Sequence, residues 1–185
     1  LGDVYKRQPL MVSAYQKGIR NYDVDKAYEA VKKTLTTQGT ALSSGGIVGN
    51  RHLDVYLKYG FVPYGEKSHH NVFGTTYEGP TSNTLEYAFD DWNAAQFAKA
   101  LGYEEDYDYF TRRAYNYKNV FDSETKYVRP KYSDGTWMPD FEPINKDEHS
   151  TSWSWLGSGF VEGNSWQYTW MVPHDMNELL SLIHI

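Results

Sequence analysis

The chain has 185 residues, a formal net charge of -6 and no cysteine. One domain is the expectation for that length, and disulfide frameworks and cysteine-based zinc sites are excluded. The 18 Lys and Arg residues are scattered through an acidic chain, so no basic stripe exists to neutralise phosphates and nucleic acid is not an expected partner. No apolar run reaches the roughly 18 residues of a membrane span, and "LGDVYKRQ" at the start lacks the apolar stretch of a signal peptide. Aromatics make up 17% of the chain, with 17 Tyr and 6 Trp. Such side chains join apolar area to a polar handle. They suit either a Tyr-rich core or a site whose ring faces stack on sugars.

In chain order, "YDVDKAYEAVKKTL" predicts an amphipathic helix. Val24, Ala27, Tyr28, Val31 and Leu35 fall at helical spacing behind Asp23 as N-cap. "TTQGTALSSGG" reads as a mobile Gly/Ser/Thr loop. "LDVYLKYGFVPYG" predicts a short helix stopped by Gly60, then an extended Phe61-Val62-Pro63. "TLEYAFDDWNAAQFAKALG" predicts the strongest helix, with Leu85, Ala88, Phe89, Trp92, Ala95 and Leu101 along one side, a cap at Ser82 or Thr84, and Gly102 as its stop. "YEEDYDYFTRRAYNYKNVF" continues as a second helix, with Tyr103, Tyr107, Phe110, Ala114, Tyr117 and Phe121 stepping by three and four. Its acidic start and basic finish suit the helix dipole. With almost no loop between them, the two helices form an antiparallel αα-hairpin.

From Asp122 the pattern changes. "YVRPKYSDGTWMP" predicts a short β-hairpin near 127–138 around a Ser-Asp-Gly turn. "EPINKDEHSTSWSWLGSGF" is irregular and polar. "WQYTWMVPHDMNELLSL" leads into a last helix with Pro173 near its first turn. The pattern is helix-hairpin repetition with long loops, not a βαβ series.

Few residues invite chemistry. Glu162, in "FVEGNSWQYTWMVPHD", is a carboxyl among aromatics beside Gly163. Desolvation there raises a pKa, which suits a general acid, and a Glu bonded to backbone in a turn fits the same residues. Asp90 and Asp91 follow Glu86, which shares a helix face with Asp90 and repels it unless a metal, an Arg, a ligand hydroxyl or solvent compensates. Adjacent His69 and His70 rarely point at one ion. His174-Asp175 reads as capping chemistry at a helix start. Phosphate-loop, G-x-S-x-G and H-E-x-x-H patterns are absent.

"TLEYAFDDW" followed by "AQFAKALG", then "YFTRRAYNYKNVFDSETKYVRPKYSDGTW", then "EGNSWQYTWMVPHD" resemble, in this order, glycoside hydrolase family 92, the calcium-dependent exo-acting α-mannosidases. "AYQKGIRNYDVDKAYEAVKK" and "YLKYGFVPYGEK" fit the same run upstream. The likeness covers about residues 9–180, with small departures at Asn83 and Ser165 and an insertion-like loop around residue 70. It implies a mainly α fold, a partial (α/α)6 toroid with αα-hairpins and long loops, taken from the middle of a catalytic domain that follows a β-sandwich. Residues 1–8 and 181–185 ("SLIHI") resemble translated sequencing-adaptor bases at metagenomic contig ends, and are expected to be non-native.

The resemblance also implies roles. Glu162 matches the position of the family's general acid, and Trp166, Gln167 and Tyr168 would shape the mannose pocket beside it. Asp90 and Asp91 are candidate substrate ligands. The family's base is an Asp far downstream of the acid, and this chain has no Asp after Asp175, so the base is expected to be missing from it. Calcium is implied as cofactor, with unassigned ligands and an incomplete site. The implied partners are mannose-containing glycans, together with the β-sandwich and remaining barrel helices of the same polypeptide. The implied location is the periplasm, cell surface or exterior of a bacterium. The isolated chain is expected to be inactive. The alternatives are a non-catalytic sugar-binding toroid and another (α/α)6 glycosidase.

Overall fold

A computed structural model describes residues 7–41, 47–65, 79–144, 159–161 and 163–184. Glu162, His69 and His70 lie outside the described residues, as does the polar stretch 145–158. The chain begins with α1 (Arg7–Gln16) and α2 (Val24–Thr36). Helix α2 starts as its sequence predicts: the Asp23 carboxylate accepts from the Lys26 N–H at 3.0 Å, and Ala27, Tyr28, Val31 and Leu35 are buried.

The Gly/Ser/Thr stretch read as a loop has paired ends. β1 (Thr40–Ala41) and β2 (Ile47–Val48) are antiparallel, with Thr40 opposite Val48. Glycine makes the approach possible, since a Cβ on Gly49 would lie 3.0 Å from Gly39 Cα. Helix α3 (Leu53–Tyr59) stops at Gly60, whose φ of 74° favours glycine. The extended segment beyond it is tied down by the Val62 N–H, which donates to Thr84 Oγ1 at 2.9 Å.

Helix α4 (Pro80–Leu101) departs most from its predicted form. It begins at Pro80, ahead of Ser82 and Thr84, because proline's fixed φ suits the first helical position. The two hydroxyl residues therefore lie inside the helix, where Thr84 Oγ1 donates back to the Pro80 carbonyl. Nor is α4 one-sided. Buried residues occur on all its faces, from Thr81 and Leu85 through Tyr87, Asp90, Asp91 and Ala94 to Phe97 and Ala98. It packs against α1 and α2, and against α5 (Glu104–Ala114), with which it forms the predicted hairpin across Gly102 and Tyr103. The alanines at 88, 94, 95 and 98 are all buried, and their small side chains let neighbouring helices approach closely. A helix surrounded in this way is buried all round.

Helix α5 is shorter than its spacing suggests. After Ala114 the chain tightens into a 3₁₀ helix (Tyr115–Val120) and then enters β3 (Phe121–Asp122), which pairs with β4 (Tyr127–Val128). The hairpin predicted near 127–138 is present as a narrower feature: Lys131 bridges Trp137, and the Tyr132 N–H donates to the Thr136 carbonyl across the Ser-Asp-Gly turn. Residues 127 and 128 pair backwards with 121 and 122 instead, because Asp122 closes that turn by accepting from the Glu124 N–H and from Arg129.

The chain ends with α6 (Ser165–Tyr168) and α7 (Met176–Ile183). Helix α7 starts three residues beyond Pro173, and the Asp175 side chain does not cap it. Asp175 instead accepts from the Tyr117 hydroxyl at 2.8 Å and ties α7 to the 3₁₀ helix. The main apolar cluster joins Phe61, Leu85, Tyr117, Val128, Val172 and Leu179. Each leucine or valine fully buried there contributes roughly 1.5–3 kcal/mol.

Candidate active site

The stretch on either side of position 162 is held from two directions. On its N-terminal side, residues 159–161 cross the first turn of α4. The Gly159 carbonyl accepts from the Thr81 and Ser82 N–H groups at 3.0 and 3.4 Å. These are among the first N–H groups of α4, which no intrahelical carbonyl can serve. Gly79 offers no side-chain cap, so the crossing segment takes that place. The Val161 N–H in turn donates to Ser82 Oγ at 3.2 Å. Gly159 has a φ of 87°, and a Cβ there would lie 2.7 Å from Pro130 Cγ.

On the C-terminal side, Asn164 and Gln167 form a capping box. Asn164 Oδ1 accepts from the Gln167 N–H at 3.2 Å, and Gln167 Oε1 accepts from the Asn164 N–H at 3.1 Å. Tyr168 reaches back to donate its hydroxyl to the Val161 carbonyl at 2.7 Å, with its ring against Phe160. Helix α6 itself is seated on β4: Ser165 Oγ donates to the Val128 carbonyl, and the Val128 N–H donates to Thr169 Oγ1. Trp166, by contrast, is 53% exposed and leaves a ring face open.

The two aspartates of α4 have different fates. Asp91 is fully buried: its Oδ2 accepts from Arg113 Nε and the Tyr56 hydroxyl, and its Oδ1 lies 2.7 Å from Arg113 Nη2 as an ion pair. It therefore serves the packing of α3, α4 and α5. Burial pushes the Asp91 carboxyl up to about 7, against the pull of Arg113 and Tyr56. Burial acts to lower Arg113, but the Asp91 charge outweighs it and holds the guanidinium above its usual range. We take the pair as charged at neutral pH, given a guanidinium that stays protonated.

Asp90 is also buried, 3% exposed, but its Oδ2 has no hydrogen-bond partner among the described residues. Burial, then the charges of Asp91 and Glu86, raise its carboxyl well above the ordinary range. The folded protein thus keeps a proton there that the unfolded chain releases. Stability on this account is greatest at low pH and falls as pH rises from about 4 towards the folded value, by up to about 1.4 kcal/mol per pH unit. Asp90→Asn, which keeps the shape and removes the charge, is expected to flatten that fall. Unfolding midpoints of both proteins at about pH 5 and about pH 8 check this, and equal pH dependence would count against it.

His174 packs against Phe89, Trp92 and Tyr117, and its Nε2 lies 2.9 Å from the Ala114 carbonyl. Burial lowers its pKa, so at neutral pH it is an uncharged ring donating to that carbonyl. The capping role expected of His174-Asp175 is thereby replaced by docking. As to calcium, no group of three or more His, Asp or Glu among the described residues could hold a metal ion.

The sequence model of the glycosyl hydrolase family 92 catalytic domain matches residues 4–184. The chain belongs to glycoside hydrolase family 92. Two family 92 enzymes of Bacteroides thetaiotaomicron have similar structures, each 32% identical. One is an inverting mannosidase (TM-score 0.77, covering 95% of this chain and 21% of that one), the other an α-mannosidase (TM-score 0.74, 96% and 20%). An uncharacterised secreted glycosidase of Arthroderma benhamiae is 28% identical over 94% of this chain and 24% of its own length. The chain therefore spans about a fifth to a quarter of the length of these relatives.

Membership in family 92 accords with the mainly helical architecture and its αα-hairpin. Within this family 92 chain, the residues that sequence reasoning missed are Thr81 and Ser82, which anchor the stretch before position 162. Their contacts to Gly159 and Val161 span 77 to 79 residues. Nothing in the local pattern carries that information, and a serine in a first turn reads most simply as a cap.

Proposed function

We propose that this chain carries the general acid and part of the sugar pocket of an inverting, exo-acting α-mannosidase that removes terminal α-linked mannose from glycans. The observation that carries the reading is the 32% identity to family 92 mannosidases over 95% of the chain. The motif "EGNSWQY", which carries the Glu162 assignment, lies within that span, and described residues on either side of Glu162, Val161 and Asn164, are held by Ser82, Tyr168 and Gln167. Glu162 donates a proton to the glycosidic oxygen as the bond to the leaving sugar breaks. A carboxylate base from another segment of the polypeptide takes a proton from water, which attacks the opposite face of the ring. An inverting pair stands roughly 6.5–9.5 Å apart to admit that water.

Other residues fit supporting roles. The open face of Trp166 suits stacking against a sugar ring, and Asp90, whose carboxyl pKa is raised by burial and whose Oδ2 has no partner among the described residues, is the better of the two aspartates for a substrate hydroxyl. Gln167 and Tyr168 shape the pocket from behind, through the loop they hold. The glycosidase of Arthroderma benhamiae is named as secreted. This supports work outside the cytoplasm, on glycans that a bacterium meets at or beyond its surface. Calcium belongs to this reading only through the family.

Proton NMR of an α-linked mannose disaccharide digested by the full-length protein tests the reading. β-Mannose is expected as the first product, before mutarotation. First release of α-mannose would overturn inversion, release of glucose only from α-glucosides would favour another toroid glycosidase, and sugar binding without turnover would favour a binding protein.

A further inference from the structure

One imidazole docks the connection between α6 and α7. The His174 ring lies against Phe89 and Trp92 of α4 and Tyr117 of the 3₁₀ helix, with centroids 5.9, 6.3 and 5.7 Å away. Its Nε2 stands 2.9 Å from the carbonyl of Ala114, the last residue of α5. A carbonyl only accepts, so Nε2 carries the hydrogen and the neutral ring keeps Nδ1 bare. Nδ1 is buried and has no hydrogen-bond partner among the described residues. On either side of the ring, Val172 and Leu179 are fully buried in the main apolar cluster, and Asp175 accepts from the Tyr117 hydroxyl. A second proton would have to sit on Nδ1, as a donor facing no acceptor and a charge held among rings, and both are costly.

We propose that His174 is an acid-operated latch: neutral, it fastens the 172–175 connection and the start of α7 to the α4–α5 hairpin, and protonated, it releases them. The latch is independent of any role for Glu162. Charged groups on the elements packed here are largely engaged elsewhere. Arg113 at the end of α5 pairs with Asp91 of α4, and Lys118 of the 3₁₀ helix pairs with Glu178 of α7. Glu86 and Asp90 of α4 act on one another. Asp175 is the charge that acts on His174; it favours the imidazolium, but burial outweighs it and lowers the ring's pKa. An opened connection carries an ordinary imidazole, which titrates near pH 6.5. The docked form therefore binds fewer protons than the opened one below that pH. Docking is complete above about pH 6.5 and is lost as the pH falls towards the docked ring's lower pKa.

Amide hydrogen exchange in the full-length protein, read by mass spectrometry on the peptide 171–180 and corrected for the intrinsic effect of pH, tests the latch. Between about pH 7.5 and pH 5.5 the opening constant of this peptide is expected to rise severalfold, up to about tenfold. Peptides from the middle of α4 should keep their protection. His174→Gln places an amide donor near the same carbonyl and does not titrate, so its peptide should open equally at both pH values. That variant retains Asp90, whose titration therefore cancels in the comparison. Equal protection at the two pH values in the wild type, or the same loss in His174→Gln, would overturn the proposal. Exchange of the imidazole C2 hydrogen, read on the same peptide, requires no variant and carries the test should His174→Gln fail to fold. His174 is the only histidine in that peptide. Half-titration below about pH 6.5 is expected, and half-titration at or above it would overturn the latch.

Discussion

Arg113→Met is expected to destabilise the protein by about 3–5 kcal/mol, because it strands a buried carboxylate. Asp91 has no exposed surface and Arg113 only 8%. The guanidinium meets both carboxylate oxygens, and its Nη1 also donates to the Leu35 carbonyl at 2.9 Å and the Tyr109 hydroxyl at 3.1 Å. One side chain thereby joins α2, α4 and α5, and Tyr56 brings in α3 through Asp91. Loss of several kcal/mol is a large share of the roughly 5–15 kcal/mol that holds a domain folded.

The pairing of Arg113 with Asp91 makes a sharper expectation. Replacing both, as Arg113→Met with Asp91→Leu, should recover most of the loss, since a buried ion pair exchanged for apolar groups of similar volume is often neutral. Arg113→Lys should not, because an ammonium lacks the planar fork that spans two carboxylate oxygens and a carbonyl. Unfolding midpoints of the three variants measure this. A loss below about 1 kcal/mol for Arg113→Met alone would show that the network is not the pin described here.

Glu162→Gln carries the largest expected effect on activity. A general acid contributes roughly 100- to 10,000-fold, so kcat on an α-linked mannose disaccharide should fall by about a thousandfold. A dinitrophenyl mannoside, which leaves as a stable anion, should lose far less. The pH profile supplies an independent reading: the wild-type alkaline limb, which reports loss of the donor's proton, should disappear with the amide. Steady-state rates on both substrates across pH check the prediction. A variant that hydrolyses the disaccharide at the wild-type rate would remove Glu162 from the chemistry.

Much of the local structure was legible in the residues. The spacing of Ala27, Tyr28, Val31 and Leu35 specified α2 and its buried face, and Asp23 marked its start. Gly60 and Gly102 ended their helices because both stand at positive φ, at 74° and 81°. Short-range rules suffice for these features, since capping and chain reversal act within one turn. The αα-hairpin followed from the brevity of its connection. The run of aromatic motifs was enough to indicate family 92, and with it a role for Glu162 that chemistry alone left divided between catalyst and turn residue.

Other features were settled by packing. Periodicity suggested a one-sided α4, but neighbours on all its faces bury it nearly all round, and that burial is what distinguishes Asp90 from Asp91. Adjacent in sequence, one aspartate faces Arg113 and Tyr56 while the other keeps an oxygen without a partner among the described residues. Asp175 looked like a cap and became the acceptor of Tyr117, 58 residues away. Gln167 and Tyr168, named for the pocket by their motif, also hold backbone through contacts that the motif does not encode.

The sequence by itself thus determined the helices, their stops and the family, because those depend on spacing and on motifs carried within a few residues. The tertiary structure alone decided which charges are paired and which hydroxyls anchor the segment around position 162. Those outcomes depend on contacts between residues 22 to 79 positions apart, brought together only when separate helices pack.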